Sequence, residues 1–87
     1  MTVRFRKSFV KDLEALDSTH RIRVEKAIQE IKSAVNLHNV QHVKKLQGRS
    51  DFFRSRVGDY RLGIALVSDE VILVRCLRRK DFYRYFP

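Results

Sequence analysis

From Phe52 onward the hydrophobic residues recur at every second position, and a two-residue Gly58-Asp59 break interrupts the run. A period of two places alternate side chains on opposite faces of an extended chain. Residues 52–57, 60–67 and 71–77 therefore read as three strands. Gly-Asp is a favoured two-residue hairpin loop. Ser68-Asp69, with or without Glu70, supplies the next turn. Strands joined this tightly must be antiparallel neighbours, so the second half of the chain is a meander.

The first half has a different period. Val3 and Phe5 alternate with Arg4 and Arg6, as in a short half-buried strand. Ser8 is placed to cap a helix carrying Phe9, Leu13 and Leu16 on one side. Asp17, Ser18 and Thr19 break that pattern and offer a second cap. Val24, Ala27, Ile28, Ile31 and Val35 then follow helical spacing. Two helices this close together form a helical hairpin. Residues 36 to 51, with Asn36, Asn39, Gly48 and Ser50, have no clear period. They read as a connector with a short strand near Val43 to Leu46. The expected fold is α+β: an N-terminal strand, a helical hairpin, then a three-stranded antiparallel meander. The hairpin should cover one face of the sheet and leave the other open.

The Gly58-Asp59 loop fixes which side chains share the open face. Val57 should oppose Tyr60, Arg56 oppose Arg61, and Arg54 oppose Gly63. Phe53, Val57, Tyr60, Leu62, Ile64 and Leu66 then form the core face. Arg54, Arg56, Arg61, Gly63, Ala65 and Val67 form the other. Three arginines beside two small residues make a shallow positive basin without a carboxylate among them.

Charge gives the basin a meaning. The 87 residues carry 19 Lys and Arg against 10 Asp and Glu, a net charge of +9. Residues 38–87 hold eleven of those basic groups, eight of them arginine, which forks onto phosphate better than lysine does. Such an excess points to a polyanion, with nucleic acid the first candidate and an acidic protein the second. The end of the chain interleaves Arg78, Arg79, Lys80 and Arg84 with Phe82, Tyr83, Tyr85 and Phe86. That mixture suits stacked bases and bound phosphates. Phe82 and Phe86, four apart, anchor the tail, while Tyr83 points the other way.

Other classes are disfavoured. No apolar run approaches a membrane span, and the basic start lacks a signal peptide's apolar stretch. One cysteine excludes an internal disulfide framework and a Cys-rich zinc site. His38 and His42 lack accompanying acidic or Cys ligands and read as loop histidines. His20 is expected at the surface. Cys76 lies in an apolar strand and reads as a small buried hydrophobe. Arg75 interrupts the same strand and faces either core or basin. The chain is expected to be soluble, cytoplasmic, and a single domain over residues 1–87.

The order of these elements resembles the RelE/ParE superfamily of toxins from type II toxin–antitoxin systems. The string Arg56-Val57-Gly58-Asp59-Tyr60-Arg61 and the ending Arg78-Arg79-Lys80-Asp81-Phe82-Tyr83 carry the likeness. The resemblance implies a RelE-like toxin that cuts messenger RNA in the ribosomal A site and so inhibits translation. The catalytic positions would fall on Lys44 or Lys45, on Arg61, on Arg78 or Arg79, and on Tyr83. Arg54, Arg56, Lys80 and Arg84 would bind RNA. Several related toxins have histidine where this chain has Arg78, so an imidazole base is absent here. The implied chemistry is attack of the RNA 2′-hydroxyl on the adjacent phosphate, with no metal and no cofactor. The implied partners are an acidic cognate antitoxin, the ribosome and messenger RNA. Two alternatives remain: a ParE-like DNA gyrase poison without nuclease activity, and a non-catalytic RNA-binding module.

Overall fold

A computed structural model describes residues 1–48 and 51–87. Ser50, part of the expected connector, lies outside the described residues. The elements run β1 (Val3–Phe5), α1 (Lys7–Glu14), α2 (Ser18–Ser33), β2 (Val43–Lys45), β3 (Phe52–Val57), β4 (Tyr60–Val67), β5 (Glu70–Arg78) and α3 (Arg79–Tyr85), with a 3₁₀ turn at Leu37–Asn39. Among the described residues the strands form one sheet of order β1-β5-β4-β3-β2. β1 lies parallel to β5, and every other pair is antiparallel.

The β3–β4 register is the one the Gly58-Asp59 loop predicts: Val57 opposes Tyr60, Arg56 opposes Arg61, and Arg54 opposes Gly63. Gly58 sits at φ +57°, the left-handed region that glycine adopts without strain. The second loop is Ser68-Asp69 alone, since Val67 opposes Glu70. Both of its residues have positive φ, as a type I′ turn requires.

One core fills the space between the sheet and the helical hairpin. Phe9, Leu16, Val24, Ile28 and Ile31 pack there against Phe53, Tyr60, Leu62, Ile64, Val71, Leu73 and Cys76. Leu73 and Cys76 are three apart, and an unbroken strand would put them on opposite faces. The register shifts between Gly63 and Ile64: Gly63 opposes Arg75 while Ile64 opposes Leu73. Val74 is the extra residue of a β-bulge, which restores Cys76 to the core side. Burial pushes the Cys76 thiol up to about 12, and the Asp12 carboxylate adds to the shift. It stays protonated and inert, as a small buried hydrophobe should.

Two helix boundaries differ from expectation. α1 begins at Lys7, with Arg6 at the cap and no capping side chain. Ser8 does not cap, because its hydroxyl donates instead to the Val74 carbonyl at 2.6 Å. α2 keeps the Asp17 cap, whose carboxylate accepts from the His20 N–H at 2.9 Å. The same carboxylate meets the His20 ring, which also lies edge-on to Tyr60. These hydrogen bonds hold the Asp17 carboxyl below its ordinary value. α2 stops at Ser33, so Val35 does not extend its apolar stripe and is 85% exposed. The Met1 ammonium donates to the carbonyls of Lys32 and Ala34, at 2.7 and 3.0 Å, where the helix leaves its acceptors free.

The hairpin also seals an edge. β1 covers β5 only as far as Leu73. Beyond it, α1 takes over through Ser8 and then through Asp12. The Asp12 carboxylate accepts from the Cys76 N–H at 2.9 Å and from Arg75 Nε and Nη2 at 2.8 and 3.2 Å. Arg75 opposes Gly63 and so leaves β5 on the basin side. Its guanidinium wraps the sheet edge, and the Asp12 hydrogen bonds hold it above its ordinary value against burial. Removing Asp12 strands a backbone donor and a partly buried cation together. Asp12→Ala should lower stability by about 2 kcal/mol. Asp12→Asn keeps an acceptor for the Cys76 N–H and should cost less. Urea denaturation checks both, and equal stability of all three chains would remove Asp12 from the account.

Candidate functional site

The face away from the hairpin is not open. α3 lies across it. Phe82 is fully buried and Phe86 is 3% exposed, both outside the main core cluster. A Cβ added at Gly63 would stand 2.6 to 2.7 Å from the Phe86 ring. The room that Gly63 and Ala65 leave above the sheet is thus a socket for Phe86, which also meets Phe52 edge-on at 5.6 Å. The helix that fills the socket has a direction. Arg79 and Tyr83, four apart, flank Phe82 and Phe86 on the side of β3. Tyr85 flanks them on the side of β5, where Arg75 stands over its ring at 6.0 Å.

Arg61 sits at the centre of this arrangement. It is only 9% exposed, and its Nη1 donates to the carbonyls of Gly58 at 2.8 Å and Tyr60 at 2.9 Å. Burial is the largest force pushing it below its ordinary value. The charges of Arg54, Arg56 and Arg79 follow, and Tyr83 opposes them. Among the described residues Arg61 forms no ion pair. Arg54, Arg56 and Arg61 share one face of β3 and β4, and Arg79 and Tyr83 act on Arg61 from α3. Arginine stays charged even when depressed, so the repulsion stands until an anion arrives.

The structure separates residues that the sequence left paired. Lys44 opposes Arg54 across β2–β3 and shares its face, whereas Lys45 opposes buried Phe53. Both border an open groove of ≈ 500 Å³ with Arg54, Tyr83, Phe86 and Pro87. Tyr83 is 67% exposed there and available to a ligand. Arg78 opposes Tyr60, on the hairpin side. It lies over the Tyr60 ring at 5.3 Å and bonds Asp59 at 3.2 Å, so Arg79 is the one that joins Arg61. Lys80 and Arg84 are exposed on the outer side of α3. Lys80 borders a hollow with Asp59, Arg78 and Arg79, and Arg84 stands 6.0 Å from the Tyr85 ring. Arg54 also donates to the His42 carbonyl at 3.1 Å.

Sequence reasoning missed the atoms that aim the site. They are backbone carbonyls of Gly58 and Tyr60, which carry no residue signal. A third, the Asp59 carbonyl, accepts from the Arg79 N–H at 2.8 Å and pins the start of α3. His38 and His42 hold no metal set, and among the described residues no three His, Cys, Asp or Glu converge. Among them too, no helix is long and apolar enough to cross a membrane.

The socket gives a direct test. Gly63→Ala should eject Phe86 and forfeit most of its burial, worth about 1.5–3 kcal/mol. Hydrogen exchange should show protection lost first in residues 79–86 while β4 and α2 stay protected. Unchanged protection of α3 would mean that Phe86 is not its anchor.

Known proteins share this fold. The profile of the ParE toxin of type II toxin–antitoxin systems matches residues 3–83. Toxin RelE3 of Methanocaldococcus jannaschii is 40% identical over 88 residues, covering all of both chains. A chain in the crystal structure of the RelB-RelE antitoxin-toxin complex from Methanococcus jannaschii is 38% identical, with a TM-score of 0.80 over 97% of this chain and 99% of that one. A chain of the archaeal RelE-RelB complex from Pyrococcus horikoshii shares the fold, at 24% identity, with a TM-score of 0.73 over 90% of this chain and 93% of that one. A profile match over nearly the whole chain and a full-length relative at this identity agree: the chain belongs to the RelE/ParE superfamily of type II toxin–antitoxin toxins.

Proposed function

We propose that this chain is a RelE-type toxin that cleaves messenger RNA in the ribosomal A site and so stops translation. The observation that carries the reading is the placing of Arg54, Arg56 and Arg61 on one sheet face, with Arg79 and Tyr83 acting on Arg61 from α3 and, among the described residues, no ion pair to any of these arginines. A polyanion whose reaction concentrates negative charge is the partner such a cluster fits. The names of its relatives, a RelE toxin among them, point the same way.

RNA supplies its own nucleophile. The 2′-oxygen attacks the adjacent phosphorus as its proton leaves to a base. The bond from phosphorus to the 5′-oxygen breaks, and that oxygen takes up a proton. The products are a 2′,3′-cyclic phosphate and a 5′-hydroxyl. Negative charge gathers on the non-bridging oxygens in the transition state. Arg61, fixed by two carbonyls, needs no rearrangement to meet it, and preorganised donors of this kind dominate catalysis. Arg56 and Arg79 assist from either side. Lys44, on the same face, is the candidate base, and Tyr83 stacks on a base or orients the 2′-hydroxyl. Arg54 holds the flanking phosphate, while Lys80 and Arg84 offer outlying contacts.

The matched family is described by its ParE member, so a DNA gyrase poison is the reading to beat. A poison has no need for a convergent arginine cluster around a stackable tyrosine. We assign the chain an acidic cognate antitoxin, since a net +9 surface needs an anionic cover. One relative is a toxin chain crystallised with its antitoxin.

Labelled messenger RNA on translating ribosomes tests the reading. The wild-type chain should cut it, and Arg61→Ala should cut about 10²–10³-fold more slowly while circular dichroism shows an intact fold. Arg79→Ala should cost far more than Arg78→Ala. Gyrase-dependent DNA breaks with uncut message would replace this reading by the ParE one.

A further inference from the structure

On the far side of the β3–β4 turn from Tyr83 lies a second groove, of ≈ 430 Å³, lined by Arg23, Lys26 and Glu30 of α2 together with His42, Arg56 and Gly58. Arg23 lies flat on the turn: a Cβ at Gly58 would stand 3.3 Å from its guanidinium nitrogens. Glycine at this loop therefore serves a second purpose, since it lets a cation settle directly on the backbone. Among the described residues, Arg23, Lys26 and Arg56 form no ion pair. Glu30 is the one carboxylate on the wall, one turn from Lys26 on the same helix.

Arg56 joins this groove to the site. β2 pairs with β3 only up to Ser55, and beyond it the His42 carbonyl, just before β2, accepts from the Arg56 N–H at 2.9 Å. The long Arg56 side chain at that end of the edge lines the α2 groove and also acts on Arg61. The result is a series of neighbouring cations, from Lys44 and Arg54, through Arg61 and Arg56, to Arg23 and Lys26. Among the described residues none of them forms an ion pair, and cations so placed suit a chain of regularly spaced anions.

We infer that the α2 groove is a phosphate subsite for the same RNA strand that is cut at Arg61, holding the backbone as it leaves the site. This rests on the nuclease reading above and extends it to Arg23 and Lys26, which that reading does not use. The groove acts by binding and takes no part in bond breaking. Each phosphate contact on single-stranded RNA contributes about 0.7 to the slope of log affinity against log salt. Losing one contact should therefore weaken binding about fivefold at 0.1 M salt.

The test uses the purified full chain and 2′-O-methylated RNA, which lacks the nucleophile and is not cut. A probe of about 4 nucleotides fills the Arg61 site alone, and one of about 10 reaches the groove as well. Lys26→Ala and Arg23→Ala should each weaken the long probe about fivefold and flatten its salt slope by about 0.7. The short probe should bind as before. Arg23 also packs on the turn, so Lys26→Ala is the cleaner variant of the two. Lys32→Ala removes the same charge from the same helix outside the groove and should leave both probes unaffected. Three results overturn the subsite while leaving the nuclease reading standing: an unchanged salt slope in both groove variants, an equal loss in Lys32→Ala, or weaker binding of poly-glutamate with RNA binding intact. A wild-type chain that binds neither probe overturns the subsite as well, whereas the nuclease reading falls only if labelled message on translating ribosomes stays uncut.

Discussion

The opposition of Arg56 and Arg61 across the β3–β4 hairpin is the constraint on which the rest depends. Like charges placed directly across a sheet repel, and nothing local favours the pair. It is imposed by the loop. With Gly58 at φ +57° and only Asp59 beside it, Val57 must face Tyr60, and every later pair follows. A slip of one residue would turn Leu62 and Ile64 out of the core and Arg61 into it. Burial of those apolar residues on one face thus holds the arginines together on the other. The Gly58 and Tyr60 carbonyls then take the Arg61 donors, which spares a nearly buried guanidinium the full cost of desolvation.

β4 is covered on both sides, and the two covers differ in kind. The hairpin side is a continuous core of large aliphatic and aromatic residues. The α3 side is a small contact, two phenylalanines resting on Gly63, Ala65 and Phe52. The site straddles this boundary, with Arg61, Arg56 and Arg54 on rigid strands and Arg79 and Tyr83 on the lightly held helix. The helix is steadied from behind by Asp12, which reaches it through Arg75 and Tyr85. A helix held mainly by two phenylalanines is where local opening should be easiest. An anion bound between the two halves would bring them together, because it binds the closed arrangement best and so stabilises it.

Much of this was legible in the sequence. The period of two and the Gly58-Asp59 loop gave three strands, their register and the arginine face, because those depend on neighbours in the chain. What was not legible depends on distant backbone. No local signal says that β1 inserts parallel to β5, or that α1 seals the edge beyond Leu73. Ser8 looked like a cap because its type suits one, yet a carbonyl freed by a bulge 66 residues away claimed its hydroxyl. Gly63 and Ala65 were rightly seen as leaving space, and the space was occupied by the tail itself. The choices between Lys44 and Lys45, and between Arg78 and Arg79, needed pairing partners. Lys44 opposes Arg54 and Arg78 opposes Tyr60, and these pairings place Lys44 on the arginine face and Arg78 on the hairpin side.

On the proposed function, the composition of the candidate site makes its chemistry lean on the substrate's geometry. Arginine binds and steadies phosphate but does not exchange protons near neutrality. On the proposed reading Lys44 and Tyr83 carry the protons, with no histidine or carboxylate among the residues assigned to the site. Charge stabilisation would then be strong and proton transfer weak. An RNA strand free to twist would seldom present its 2′-oxygen in line with the departing 5′-oxygen. Held in that arrangement, the same reaction gains several powers of ten from orientation alone. On the proposed reading the ribosome supplies that orientation by presenting the message already bent. A cationic path running past Arg56 supplies more of it by gripping the strand beyond the bond to be cut. On that reading a site built from guanidinium groups would work by placement, and the residues that do the placing would extend beyond those that touch the reacting phosphate.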